Sequence, residues 1–154
     1  IMKEDGLSPD DMIHMLYKQS GLAGISGVSS DLREVEAAAE QGNERAILTV
    51  NAFCYKVKRT IGGMLMVLGG CDALIFTGGI GRNSSTVRAK ILADAARLGF
   101  VIDEGKNNGP DKPTTENPVM DISGQTSQAR ILVVNTFEEL MMARQCMLAL
   151  EKEQ

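Results

Sequence analysis

Gly78-Gly79-Ile80-Gly81-Arg82-Asn83 follows directly on the apolar run Ala73-Leu74-Ile75-Phe76-Thr77 and leads into Ser84 to Leu98. Glycines so placed let the chain turn sharply and let another group touch the backbone, because no Cβ intervenes. Between a strand and a helix, first-turn N–H groups lack intrahelical partners and the macrodipole favours negative charge, so a phosphate or a ribose could be held there. A tight strand–helix connection with no ligand accounts for a lone glycine-rich turn equally well. A second group of residues is Thr136-Phe137-Glu138-Glu139. Thr136 and Glu139 have capping-box spacing. Glu138 is not needed for the box, and a carboxylate at such a junction can reach Mg²⁺, directly or through water, since magnesium keeps waters and takes few carboxylates. Asp31 and Arg33 bracket a third helix start. Arg33 is either an exposed side chain or a planar cation that stacks on a base or meets a phosphate.

Several chemistries are excluded or weakened. Gly79-x-Gly81-x-x-Ser84, with Asp103 about twenty residues on, approaches the dinucleotide-binding fingerprint. Ser84 stands where Gly or Ala is wanted for helix–strand packing, and a long helical and looped segment precedes the motif that usually opens a domain. No Gly-Lys-Ser/Thr follows the glycines, so a P-loop is ruled out. With His14 the only histidine, neither a Ser/His triad with spare parts nor a His-rich metal cluster can come from this chain. Cys54, Cys71 and Cys146 lie far apart and read as reduced core thiols of a cytoplasmic protein. A net charge of −4 argues against a strongly cationic nucleic-acid binder. The longest apolar run, Met64 to Leu68, is too short to span a bilayer, and no signal peptide is expected.

The elements that must position these residues follow from capping and periodicity. The 154 residues are 44% hydrophobic, enough for one domain with a sizeable core. Ser8-Pro9-Asp10-Asp11 opens a helix to about Lys18, with Met12, Ile13, Leu16 and Tyr17 buried. Residues 20–30 predict an ordered loop pressed on the core by Leu22, Ile25 and Val28. Ser30 or Asp31 caps a helix to about Gln41. Asn43 caps the longest helix, whose stripe is Ile47, Val50, Cys54, Val57, Ile61, Met64 and Leu68. Gly62-Gly63 within it costs about 1 kcal/mol per glycine against Ala, so a close neighbour is expected there. Lys56, Lys58 and Arg59 read as a solvated face. Ala73–Thr77 predicts a buried strand. Asn83 or Ser84 caps a helix ended by Gly99, with Val87, Ile91, Ala95 and Leu98 on its stripe. Phe100–Asp103, Val119–Ile122 and Ile131–Val134 predict strands, and residues 105–118 a mobile loop. Thr136 caps a last helix with Leu140, Ala143, Met147 and Leu150 on its stripe, fraying over residues 151–154. This order predicts an α/β domain with a mixed sheet. The opening Ile1-Met2-Lys3-Glu4 is unlike a natural start and suggests a chain cut from something longer.

Three motifs in order carry a resemblance: residues 20–33 (Ser-Gly-Leu-Ala-Gly-Ile-Ser-Gly-Val-Ser-Ser-Asp-Leu-Arg), Phe76-Thr-Gly-Gly-Ile-Gly-Arg-Asn83 and Thr136-Phe-Glu-Glu-Leu140. Over nearly its whole length the chain resembles the C-terminal half of acetate kinases and their propionate kinase relatives. The resemblance implies an actin-like, sugar-kinase-like ATPase fold, with a mixed sheet flanked by helices and residues 1–154 as a C-terminal nucleotide-binding domain. It implies that Asp31, Leu32, Arg33, Gly79, Ile80, Gly81 and Asn83 contact ATP or ADP, and that Glu138 matches a magnesium-associated glutamate. The whole enzyme would phosphorylate acetate or propionate as a homodimer, independent of nucleic acid and membrane. The acid pocket and the catalytic residues would come from an N-terminal half that this chain lacks, so the isolated chain is expected to be inactive. A noncatalytic nucleotide-binding or dimerisation module, or a dinucleotide-binding domain, are the alternatives. Three departures stand out: Arg82 where the family usually has Glu, Asn135 where Pro is usual, and Phe137 where Asn is usual. Arg82, one residue past the glycines, is expected either to be solvated or to reach a nucleotide phosphate or ribose, against the positive end of a helix beginning near Ser84.

Overall fold

The computed structural model describes residues 2–152, which form two compact units dividing after Gly70.

The first unit is helical. Helix α1 spans Met2–Asp5 and α2 Pro9–His14. Ser8 and Asp11 close a reciprocal capping box on α2, with Pro9 at its first position. The chain continues through a π-helical turn, Met15–Gln19. Residues expected to form an ordered loop instead make helix α3, Gly21–Ser26, which ends on left-handed Gly27 (φ +67°). The reason is local satisfaction of carbonyls. The Arg45 guanidinium donates to the carbonyls of Ile25 (2.9 Å) and Gly24 (3.0 Å), and the Ser26 hydroxyl donates to that of Leu22 (2.6 Å). Helix α4, Leu32–Glu40, is capped by Asp31, and α5, Glu44–Leu68, by Asn43. Both α3 and α4 pack on the first turns of α5, burying Leu32, Val35, Ala46, Val50 and Cys54. Further along α5 the predicted stripe is not buried: Met64 and Leu68 are exposed, and a Cβ at Gly62 or Gly63 would meet nothing within 4 Å. Ile13, Leu16 and Tyr17 are exposed as well. Periodicity marked faces that require a cover, and among the described residues of this unit the cover extends only over the first turns of α5.

The second unit is α/β. Strand β1 (Ala73–Phe76) is followed by α6 (Gly78–Asn83), α7 (Ser85–Leu92), a 3₁₀ turn (Ala95–Leu98), α8 (Glu104–Asn108), β2 (Val119–Asp121), β3 (Arg130–Val134) and α9 (Glu138–Lys152). The sheet order is β1-β3-β2, with β3 parallel to β1 and antiparallel to β2. Ile131 and Val133, two apart on β3, point to one face and are fully buried with Ile122, Val87, Ile91 and Phe100. The helix expected over 84–98 breaks at Ala93, which is extended, and Asp94, which is left-handed (φ +64°). Phe100–Asp103 makes only an isolated bridge, Ile102 to Ser123, instead of a strand. The loop expected over 105–118 starts inside α8, capped by Asp103. Leu140, Met147 and Leu150 on α9 are exposed, against the expected buried stripe. Residues 151 and 152 remain in α9, whereas the fraying expected of 153–154 lies outside the described residues. Of the three thiols, only Cys54 belongs to a core; Cys71 is half-buried and Cys146 exposed. No helix among the described residues is long and apolar enough to cross a membrane.

Candidate functional site

The parallel pairing of β1 with β3 sets Phe76 opposite Val133, so both strands end side by side. In open α/β sheets that is where ligands bind, outside the carboxyl ends of the strands. Beyond β1 the chain passes through Thr77, in extended backbone, to Gly78 at φ +68°. The glycine segment is not a bare turn before one helix. It is itself the short helix α6, and Ser84 then caps α7, its hydroxyl accepting from the Val87 N–H at 3.0 Å.

The three glycines have different reasons to be glycine. Gly78 needs its positive φ. At Gly81 a Cβ would sit 3.2 Å from the Phe76 carbonyl carbon, tighter than ordinary contact. At Gly79 φ is not positive and a Cβ would meet nothing within 4 Å. The protein's own packing does not require a glycine there.

A cleft of about 210 Å³ opens beside this segment, walled on one side by Gly78, Gly79, Arg82 and Asn83 and on the other by residues 134–139. The sequence candidates Gly79, Arg82, Asn83 and Glu138 therefore share one cavity. Ile80 and Gly81 belong to the same turn of helix but do not line it. Asn83 is fixed by donating its side-chain N–H to the Gly79 carbonyl at 2.8 Å. On the far wall a short relay runs from Thr77, whose hydroxyl donates to Thr136 Oγ1 (3.2 Å), to Glu138, whose Oε1 accepts from Thr136 (3.0 Å). Arg82 crosses between the walls: its Nη1 donates to Asn135 Oδ1 at 3.3 Å, while its Nε is buried with no partner among the described residues. Because α6 begins at Gly78, Arg82 lies in that helix's last turn, where a cation is favoured, not only ahead of α7.

The expected capping box on α9 is not formed. The helix opens at Glu138, and the Phe137 carbonyl accepts its first backbone bond, from the Met141 N–H at 3.1 Å. Phe137, at φ +50°, adds one residue of turn. This shifts Thr136 out of capping register and leaves its hydroxyl to Thr77 and Glu138. Glu138 and Glu139 then both stand in the first turn, on the wall of the cleft. Among the described residues no three His, Cys, Asp or Glu side chains gather into a metal cage. One or two carboxylates beside open space suit Mg²⁺, which completes its shell with waters and phosphate oxygens.

The remaining candidates lie in the first unit. Asp31 caps α4, accepting from the Arg33 N–H at 2.9 Å, and its carboxylate also takes the Arg33 Nε at 3.0 Å. These bonds to Arg33 hold the Asp31 carboxyl down to about 2, from an ordinary 3.8, and hold the guanidinium charged. The Arg33 side chain is 86% exposed, so its plane is fixed at the edge and open on its faces. Leu32 is only 3% exposed, a core residue whose backbone alone could face a ligand.

Sequence reading missed Arg88 and Asn107, both buried behind the glycine segment. Arg88 bonds to the carbonyls of Gly81 and Arg82, and Asn107 bonds to Arg88. Nothing in the run Ser84-Ser85-Thr86-Val87-Arg88-Ala89-Lys90 marks that arginine, which periodicity counts as solvated.

With this geometry in hand, comparison with known proteins is specific. The profile of the acetokinase family matches residues 1–144. An acetate kinase of Caldicellulosiruptor saccharolyticus is 45% identical over 152 residues, covering 99% of this chain and 37% of that protein. The crystal structure of Porphyromonas gingivalis acetate kinase superposes with TM-score 0.81 at 40% identity, over 97% of this chain and 36% of that one. A propionate kinase from Francisella tularensis matches with TM-score 0.76 at 38% identity, over 93% and 35%. The chain thus spans a little over one third of the length of these relatives. Its fold is the actin-like α/β fold of such kinases.

Proposed function

Because this chain belongs to the acetokinase family, we propose that residues 1–154 are the C-terminal nucleotide-binding domain of an ATP-dependent acetate or propionate kinase. The observation that carries this is Gly79, a glycine that backbone and packing do not require, on the wall of a cleft that faces Glu138. A missing Cβ there serves a group that comes from outside, and a nucleotide phosphate or ribose is the family's ligand. Arg82 adds a second argument. Its buried Nε lacks an acceptor, and a ligand oxygen supplies one through a charge-assisted bond.

In this reading the turn from Gly79 to Asn83, with Arg82, holds the adenosine side and the inner phosphates. In the first unit, taken by itself, Asp31 holds Arg33 with its planar face open, a shape that suits stacking on a base. Glu138, with Glu139 beside it, would hold Mg²⁺, whose chemistry when bound would be charge neutralisation on the phosphoryl group. Chemically, an acid oxygen bonds to the γ-phosphorus while the bond to the β–γ bridging oxygen breaks, giving acyl phosphate and ADP. Catalysis of this kind is mostly positioning and charge stabilisation. No catalytic residue is assigned to this chain; the acid pocket and transition-state cations belong to the part of the relatives it does not span. The enzyme acts as a cytoplasmic homodimer.

The test joins this chain to the N-terminal part of the Caldicellulosiruptor saccharolyticus relative. The joined protein should convert acetate or propionate plus ATP into acyl phosphate, trapped with hydroxylamine, and the isolated chain should form none. Glu138→Gln in the joined protein should raise the Mg²⁺ concentration needed for half-maximal rate while leaving its melting temperature unchanged. Turnover by the isolated chain, or an inactive but folded fusion, would overturn the assignment.

A further inference from the structure

We propose that Arg88 is a positioning residue for the nucleotide segment, holding it from behind the cleft and tying it to the 104–108 helix through Asn107. The inference rests on the reading that Gly79–Asn83 receives a nucleotide. Arg88 sits on α7 and is 3% exposed, yet none of its hydrogen-bond acceptors is a carboxylate. Nη1 donates to the carbonyls of Gly81 (2.8 Å) and Arg82 (3.0 Å). Nε donates to Asn107 Oδ1 at 2.8 Å, and Nη2 to the Asn107 carbonyl at 3.2 Å. Asn107, itself 3% exposed, donates onward to the Ser85 carbonyl at 3.1 Å.

The acceptors explain the arginine. Helix α6 ends at Asn83, and its Ile80 carbonyl accepts from the Ser84 N–H at 3.0 Å. The next two carbonyls, at Gly81 and Arg82, are those a terminating helix leaves without a following N–H. Arg88 takes both with one nitrogen. Burying a guanidinium against neutral acceptors is costly, and burial pushes its pKa down. An apolar side chain would fill the space without that cost. What it could not do is fix the two carbonyls, and with them the register of Gly79, Arg82 and Asn83 on the cleft wall.

The experiment uses the full-length kinase carrying this chain, with ATP as probe and the acid substrate as internal control. Arg88→Met should raise KM for ATP by about tenfold or more while KM for the acid stays unchanged and kcat falls less than about threefold. Arg88→Lys, which keeps a donor for the carbonyls but loses the fork to Asn107, should recover part of that loss. Asn107→Ser should weaken ATP binding to an intermediate degree. If Arg88→Met does not fold, the lysine and serine variants decide. Both lowering the melting temperature with KM for ATP unchanged would reduce Arg88 to a structural residue and overturn the proposal. Gly79→Ala is run alongside. If it raises KM for ATP while the Arg88 and Asn107 variants do not, only this inference falls. If it too leaves KM unchanged, the nucleotide reading falls first.

Discussion

Replacing Gly79 by Ala separates what the fold requires of the glycine segment from what a ligand requires. The three glycines of this segment would give different answers. Alanine at Gly78 must adopt a positive φ, and alanine at Gly81 must press its methyl on the Phe76 backbone at 3.2 Å, so either change damages the fold and loses binding for that reason. Gly79 has open space around its missing Cβ and an ordinary φ inside α6. There, Ala is favoured over Gly by about 0.5–1 kcal/mol in a helix interior, and by roughly half that in a first turn. For a chain of this size the gain corresponds to a melting temperature higher by roughly 0.5–2 °C. Binding should move the other way. A methyl on the cleft wall displaces a phosphate from the backbone, and loss of one hydrogen bond to a charged group is worth about 1.5–3 kcal/mol, roughly tenfold to a hundredfold in Kd. Thermal denaturation of this chain without nucleotide, and calorimetric titration of the joined protein with ADP, read the two effects separately. A stabilised Gly79→Ala protein that binds ADP as tightly as the parent would refute the reasoning, since the open space would then serve nothing.

Two further perturbations test local physics. Phe137→Asn should raise stability by about 0.5–1 kcal/mol in thermal denaturation, because Asn tolerates the left-handed φ of +50° that a bulky aromatic resists; a destabilised variant would mean that packing of the ring outweighs the backbone cost. The Asp31 carboxyl, held at about 2 chiefly by its bonds to Arg33, should keep its cap on α4 above an ordinary pKa of 3.8 and release it as pH falls from there through about 2. Carboxyl-carbon NMR should show that midpoint in the parent and a return toward 3.8 in Arg33→Gln; an unmoved midpoint would assign the shift to the backbone N–H alone.

What could be read from the sequence was set by range. Ser8, Asp31, Asn43 and Ser84 each cap the helix predicted for them, because a cap is a bond to a backbone N–H two or three residues away. Strands β1, β2 and β3 lie where short apolar runs placed them. The glycine segment and Glu138 were legible as candidates, and the sheet register brings them onto one cleft. Other features depend on partners distant in sequence or on backbone state. Helix α3 forms because Arg45, about twenty residues on, takes its last carbonyls. The Thr136 box is displaced by one left-handed residue that periodicity does not register. Arg88 is buried because acceptors at 81, 82 and 107 gather around it, whereas composition counts any arginine as solvent-facing. The stripe on α5 is buried at Val50 and Cys54 but exposed at Met64 and Leu68, and that on α9 is exposed at Leu140, Met147 and Leu150: a period names the face, not what lies on it.

The departures from the family pattern are not three independent substitutions. Arg82, Asn135 and Phe137 all line the same cleft, and two of them are bonded to each other. A proline at 135 would offer Arg82 no side-chain acceptor; the asparagine amide oxygen does, at 3.3 Å. A glutamate at 82 would instead set a third carboxylate in a cleft already walled by Glu138 and Glu139, and like charges so placed disfavour one another's ionisation. The arginine reverses that balance. It sits in the last turn of α6, where the helix favours a cation, and one of its buried N–H groups has no protein acceptor among the described residues. An unsatisfied buried donor is a cost that a protein keeps only where something else satisfies it. On the proposed reading, that something is a nucleotide oxygen, and the change from the usual glutamate would alter how the nucleotide is held while leaving the glycine segment and Glu138 in their places.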